Sequence, residues 1–173
     1  MVQVDTDSML QIKEWIRENR HRLEREIGTS PRRRFFSPAY YSQYDVTVPL
    51  MQRFVRGRLI DLGCGSMPYL QFIADRVSAY DSLELFPSDS AVTYLGDIQN
   101  MHMINDGTYD SAICLEVLEH VPDPVRAMRE IYRILNSNGV LILSLPHLSR
   151  LHSEPHDYYR FTHYGLRHLL VQD

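Results

Sequence analysis

Residues 58–69, R-L-I-D-L-G-C-G-S-M-P-Y, limit the folds open to this chain more than any other stretch. A short apolar run ends in Asp61, and Gly63 and Gly65 follow where the chain must leave a strand and enter a helix. Lacking Cβ atoms, these glycines permit positive φ and let a ligand lie directly against the backbone. That is the layout of a nucleotide-type site. A dinucleotide fingerprint would need a third glycine at Pro68, which has no amide hydrogen to give a pyrophosphate. A nicotinamide dehydrogenase is therefore disfavoured, and the cofactor must be decided elsewhere in the chain.

From Leu59 onward short apolar runs alternate with amphipathic stretches, which predicts a parallel sheet with helices on both faces. Strands are expected over 58–62, 78–85, 92–95, 109–115 and 140–145. Helices are expected over 69–76 and 124–135, and one begins at Thr162. Asp123 before Pro124 is a favourable helix start, an N-cap followed by a residue that needs no amide partner. Too few residues separate the second and third strands for a full helical crossover. Ahead of this domain, residues 1–57 read as a helical segment. It comprises a helix over 7–27, an irregular connector with Arg32 to Phe36, Tyr40, Tyr41 and Tyr44, and a helix over 46–55. The expected organisation is an N-terminal helical lid (1–57) on a Rossmann-like, doubly wound, mostly parallel α/β domain (58–173).

The chain of 173 residues is long enough for one sizeable core. No run approaches the roughly 18 apolar residues of a membrane span, and the polar start has no signal-peptide core, so a cytoplasmic location is expected. Cys64 and Cys114 form no metal or disulfide spacing and are expected reduced and buried. Residues 1–58 carry 11 basic against 7 acidic side chains, and the remainder 7 against 15. The basic residues interleave with Glu14, Glu18, Glu24 and Glu26 at helical spacing, the pattern of a solvated face laced with ion pairs. Nucleic acid is not the expected partner.

Five segments in order and spacing make the chain resemble the class I S-adenosylmethionine-dependent methyltransferases of the small-molecule, type 11-like group. They are L-I-D-L-G-C-G, the acidic end of the second strand, Gly96-Asp97, Y-D-S-A-I-C-L-E-V-L-E-H-V, and R-E-I-Y-R-I-L-N-S-N-G-V-L-I-L-S-L-P. The tail H-D-Y-Y-R-F-T-H-Y-G-L-R-H-L-L resembles the end segment of one subgroup. The resemblance implies that S-adenosylmethionine is the cofactor and S-adenosylhomocysteine the product. It assigns Asp61, Gly63, Cys64 and Gly65 to the methionine end. Glu84 goes to the ribose hydroxyls, with Asp81 as a competitor. Asp97 and Ile98 go to the adenine, and Leu115 and Glu116 to the border of the methyl group. Two departures accompany it. The third glycine of the family falls at Met67, and the last two edge strands of the seven-stranded family sheet have no counterpart before Asp173. Either the chain is truncated at its C-terminus, or the open edge at the fifth strand is covered by the tail or by a second copy in a homodimer.

Methyl transfer is an in-line displacement from a good leaving group, so positioning is the main task and no metal is obligatory. An oxygen acceptor would also need a base, and His120 and Glu116 follow the fourth strand where open sheets place ligands. His147, His152, His156 and His163 have no compact metal-ligand spacing, so no metal site is expected. Arg160 with Tyr158 and Tyr159 is a candidate acceptor contact. The function expected is methyl transfer to a small-molecule, glycan or lipid-precursor acceptor. The alternative is a methyltransferase-like subunit that binds or assembles without catalysis.

Overall fold

The computed structural model describes residues 38–86 and 92–171, together with residues 11 and 15, which are helical. Apart from those two positions, the helix over 7–27 lies outside the described residues, as do Arg32 to Phe36 and most of the segment read as a lid. The chain divides into two units, Met1–Asp45 and Val46–Asp173. Apart from the start of the first helix described below, the features that follow belong to the second.

Helix α1 (Pro38–Phe54) replaces the irregular connector expected around Tyr40, Tyr41 and Tyr44. Pro38 suits a first helical turn, where its missing N–H costs nothing, and Pro49 inside the helix forfeits one backbone bond without ending it. Thr47, Met51 and Val55 form the buried stripe, while Leu50 and Phe54 are exposed. The chain then runs through β1 (Gly57–Leu62), β2 (Val77–Glu84), β3 (Tyr94–Leu95), β4 (Tyr109–Leu115), α2 (Pro124–Ile134), β5 (Leu135–Ser144) and α3 (His163–Leu170).

The described strands form one parallel sheet in the order β3-β2-β1-β4-β5. Its described edges are β3 and β5. Leu62 lies opposite Leu83 of β2 and Cys114 of β4, so the strand ends that carry the candidate residues are level. Between β1 and β4 the chain order reverses, and that is where open α/β sheets form a ligand crevice. On one face Ile60, Leu62, Ala112 and Cys114 join Leu118, Ala127, Ile131, Ile134 and Leu169 in a buried core. By strand alternation Leu59, Ile113 and Ile142 point to the other face, where they too are buried.

Three local expectations are corrected. The helix over 69–76 is only a 3-10 turn, Leu70–Phe72, because the glycine turn consumes much of the short span before β2 and i→i+3 bonds suffice to bury Ile73. Strand β5 starts directly at the end of α2. Its Asn136 to Gly139 turn becomes an irregularity between the pairs Tyr109↔Leu135 and Ser111↔Val140, held by a 2.6 Å bond from the Asn136 amide to Asp110. Tyr132 and Leu170, whose helical spacing within their apolar patterns would suit a buried face, are exposed. The two helix starts form as the sequence predicts: Asp123 accepts from Arg126 N–H at 3.0 Å, and Thr162 from Gly165 N–H at 3.0 Å.

Replacing the fully buried Ile131 by alanine should cost about 2–5 kcal/mol of unfolding free energy in urea titrations, whereas Tyr132→Ala should stay within about 0.5 kcal/mol.

Candidate functional site

At the end of β1 the N–H groups of Gly63 and Cys64 both donate to the Leu83 carbonyl, at 2.9 and 3.3 Å, which swings the chain back over β2. Gly63, Gly65 and Met67 have φ of 72°, 50° and 56°. Met67 thus supplies the left-handed conformation that a third glycine would otherwise provide, at a cost of about 1–2 kcal/mol for an L-residue. Gly63 and Gly65 differ in what surrounds them. A Cβ on Gly63 would run into the Val117 side chain, whereas one on Gly65 would meet nothing within 4 Å. The Gly65 side of the turn is an open cradle.

Glu84, at the end of β2, faces this cradle. Its Oε2 accepts the Gly65 N–H at 3.0 Å and its Oε1 the Leu85 N–H at 2.9 Å. Each carboxylate oxygen keeps a further acceptor site. Asp81 is occupied elsewhere: its Oδ2 accepts from the Arg58 guanidinium at 2.8 Å and the Tyr109 hydroxyl at 3.0 Å. Between the two acids named from the sequence, the geometry gives the open turn to Glu84. Beneath the turn lies Asp61, buried, with the Tyr80 hydroxyl donating to it at 2.7 Å. Burial pushes its pKa up to about 7 against that hydrogen bond, and the nearby Glu84 charge adds to the rise. Burial also raises the Cys64 thiol to about 12, which disfavours the reactive thiolate at neutral pH.

Asp97 folds back on its own loop, accepting the Gln99 N–H at 2.8 Å and the Gln99 side-chain amide. The Ile98 side chain belongs to the buried core, which leaves its backbone as the part of the residue that a ligand could meet. The Gly96 N–H donates to the Glu84 carbonyl at 2.9 Å, so this loop adjoins the end of β2. At the end of β4, Leu115 is partly exposed and Glu116 adopts a left-handed φ of 54°. Glu116 is held there by its N–H to the Ser144 carbonyl (3.1 Å) and by the Ser144 hydroxyl to its Oε1 (2.9 Å). A strained non-glycine residue braced on both sides is a feature that clusters at functional sites.

Sequence reasoning missed Glu119. Its side chain is fully buried, neither carboxylate oxygen has a hydrogen-bond partner, and burial raises its pKa to about 7, with the Glu116 charge contributing. His120 Nε2 stands 3.6 Å and His152 Nε2 3.9 Å from Glu119 Oε1. The loop after β5 is tied down here by the Tyr158 N–H to the Glu119 carbonyl at 2.8 Å. Arg160 grips Asp157 through both nitrogens at 2.6 and 2.8 Å and also donates to the Ser149 and Arg150 carbonyls. It is a loop brace, not the free acceptor contact expected, and it holds the Asp157 carboxyl below the ordinary range. The histidine grouping read from sequence does not form as such. His147 bonds the Phe161 carbonyl, His163 packs on Tyr164, and the fold brings His152 to Glu119.

Residues 20–170 match the family model described as a methyltransferase domain. The chain belongs to that family. Its fold is that of the class I S-adenosylmethionine-dependent methyltransferases. The ubiquinone biosynthesis O-methyltransferase of Pseudomonas aeruginosa is 26% identical over 100 residues, a match covering 50% of this chain and 43% of the relative. The match thus spans less than half the length of that relative. A chain from the complex of the Haloferax volcanii Trm112 methyltransferase activator with a methyltransferase superposes with a TM-score of 0.60 at 18% identity, covering 86% of this chain and 74% of that one. A phosphoethanolamine N-methyltransferase of Haemonchus contortus, solved with S-adenosylhomocysteine, gives 0.55 at 16% identity, covering 73% and 36%. These likenesses are of fold.

The residues present in this methyltransferase domain fit the family cofactor. The cradle at Gly65 has room for a ligand against the backbone, and the Glu84 carboxylate beside it has acceptor capacity to spare. Among the described residues no helix is long and apolar enough to cross a membrane.

Gly63→Ala should lose at least about 1–2 kcal/mol from backbone strain, with a further loss from the collision with Val117. Gly65→Ala should lose only the strain component. Thermal melts of the two variants give the comparison.

Proposed function

We propose that this chain binds S-adenosylmethionine at the Gly63–Gly65 turn and transfers its methyl group to a small-molecule acceptor, leaving S-adenosylhomocysteine. The carrying observation is the Glu84 carboxylate fixed beside the open face of Gly65 at the sheet's switch point. When bound, the cofactor supplies an electrophilic methyl group on a sulfonium.

The residues divide the work by position. Glu84 accepts the ribose hydroxyls, a task suited to two carboxylate oxygens. The backbone of Gly63, Cys64 and Gly65 lines the methionine end, and Asp61 provides its negative charge. Asp97 and the backbone of Ile98 face the adenine. Leu115 and Glu116 border the methyl group. Orientation of the acceptor supplies most of the acceleration, up to about 7–11 kcal/mol for a well-aligned pair. His120 faces the acceptor with a defined tautomer. Its Nδ1 lies 2.6 Å from the His156 carbonyl, which can only accept, so Nδ1 carries a proton and Nε2 is the atom left to exchange one with the acceptor. The small-molecule class is supported by the similarity to the ubiquinone biosynthesis O-methyltransferase. The alternative is a domain that binds the cofactor without turning it over.

Calorimetric titration should give micromolar S-adenosylhomocysteine binding, weakened at least tenfold by Glu84→Ala. Asp61 sits near pKa 7 in the free protein and must be ionised to meet the ligand's ammonium group. Affinity should therefore fall as pH drops below 7, by up to about tenfold per unit, and Asp61→Asn should abolish that slope. Absence of any binding sinks the proposal. Binding without turnover across a broad acceptor panel selects the alternative.

A further inference from the structure

Beyond the cofactor turn lies a second constellation, of which the methyl-transfer reading uses only His120. Glu119 presents two buried oxygens with no hydrogen-bond partner. A carboxylate in that condition is costly unless a cation or proton compensates it. One ligand atom from each of Glu119, His120 and His152 lies within 4.8 Å of the other two. The separations from Oε1, 3.6 and 3.9 Å, are too long for charge-assisted hydrogen bonds, which close to about 2.7–2.9 Å. They are close to the spacing of atoms that share a central ion: ligands about 2.0–2.2 Å from a tetrahedral centre stand roughly 3.3–3.6 Å apart.

The hydrogen bonds behind the rings point the same way. His120 Nδ1 is fixed by the His156 carbonyl at 2.6 Å, and His152 Nδ1 faces the Arg150 carbonyl at 3.3 Å and Asp157 Oδ2 at 3.5 Å. Both imidazoles are thereby turned with Nε2 toward Glu119. A metal-ligating histidine is typically held in this way by an acceptor on its other nitrogen. The rings meet edge to face with centroids 4.7 Å apart, and their side chains are 24% and 37% exposed, so the cluster has a buried floor and an open rim. The remaining charged neighbours are Glu116, which adds negative potential, and Arg160, whose charge opposes it; the Arg160 guanidinium is bound to Asp157 and the Arg150 carbonyl, and its Nη2 also stands 3.5 Å from His152 Nδ1.

We propose that Glu119, His120 and His152 form a divalent cation site, contrary to the expectation from sequence. Two imidazoles and one carboxylate suit Zn²⁺ and its borderline neighbours better than Mg²⁺ or Ca²⁺, which prefer all-oxygen shells. The open rim leaves positions for water or for an oxygen of the acceptor. That last role rests on the methyltransferase reading, and with a cation on Nε2 His120 acts as a ligand in place of accepting a proton. Cation binding itself does not depend on the reading.

The test uses the untagged full chain, stripped with chelator and titrated with Zn²⁺, Mn²⁺ and Mg²⁺ by calorimetry. One Zn²⁺ should bind per chain at micromolar affinity or tighter, with Mg²⁺ at least tenfold weaker. Glu119→Gln and His152→Ala should each weaken Zn²⁺ at least tenfold while circular dichroism and S-adenosylhomocysteine affinity stay unchanged. Co²⁺ should give a visible absorption band that His152→Ala removes, a readout a merely structural role would not move. No stoichiometric Zn²⁺ binding, or binding untouched by both substitutions, overturns the site. Loss of S-adenosylhomocysteine binding with Zn²⁺ binding intact would overturn the methyltransferase reading and leave the site standing.

Discussion

The parallel pairing of β1 with β2 on one side and β4 on the other is the constraint on which the rest depends. Leu62 opposite both Leu83 and Cys114 brings three chain turns to one end of the sheet. The glycine turn, the Glu84 carboxylate and the strained Glu116 are then neighbours without any long-range side-chain contact having to arrange them. A one-residue slip of β1 would exchange its two faces, sending Asp61 to the core cluster and Ile60 away from it. The register is therefore fixed by the same apolar residues that build the core.

On that frame the electrostatics are uneven. Asp61 and Glu119 are both buried, and burial raises both. They differ in what satisfies them. Asp61 receives the Tyr80 hydroxyl, whereas the Glu119 oxygens receive nothing from the protein. Asp81, Glu130 and Asp157, by contrast, are met by Arg58, Arg133 and Arg160 and act as braces. The two buried acids, Asp61 and Glu119, lie at the end of β1 and beyond the exit from β4, where a cationic sulfonium would be favoured.

Much of this was legible in the sequence where the physics is local. The Leu59 to Gly65 run specified a strand and a turn, Asp123-Pro124 a helix start, and Thr162 another. Reading failed where geometry is decided by tertiary packing. The segment around Leu70 has a helix-compatible apolar pattern, yet a single 3-10 turn buries Ile73 equally well. The connector tyrosines looked irregular, although proline at its head begins a helix. Asp81 and Glu84 were indistinguishable along the strand until Arg58 and Tyr109 engaged the first. The four tail histidines looked like a group because they are near in sequence. The fold instead pairs His152 with Glu119, which sequence spacing cannot reveal.

The central claim is that Glu84 and the Gly63–Gly65 turn together hold the nucleoside and methionine parts of one cofactor. A crystal structure with S-adenosylhomocysteine bound tests it most directly. The account predicts both ribose hydroxyls on the Glu84 carboxylate, with the amino-acid end lying along the backbone at Gly65. A ligand seated away from the ends of β1 and β2, or a Glu84 carboxylate without contact to it, would contradict the account.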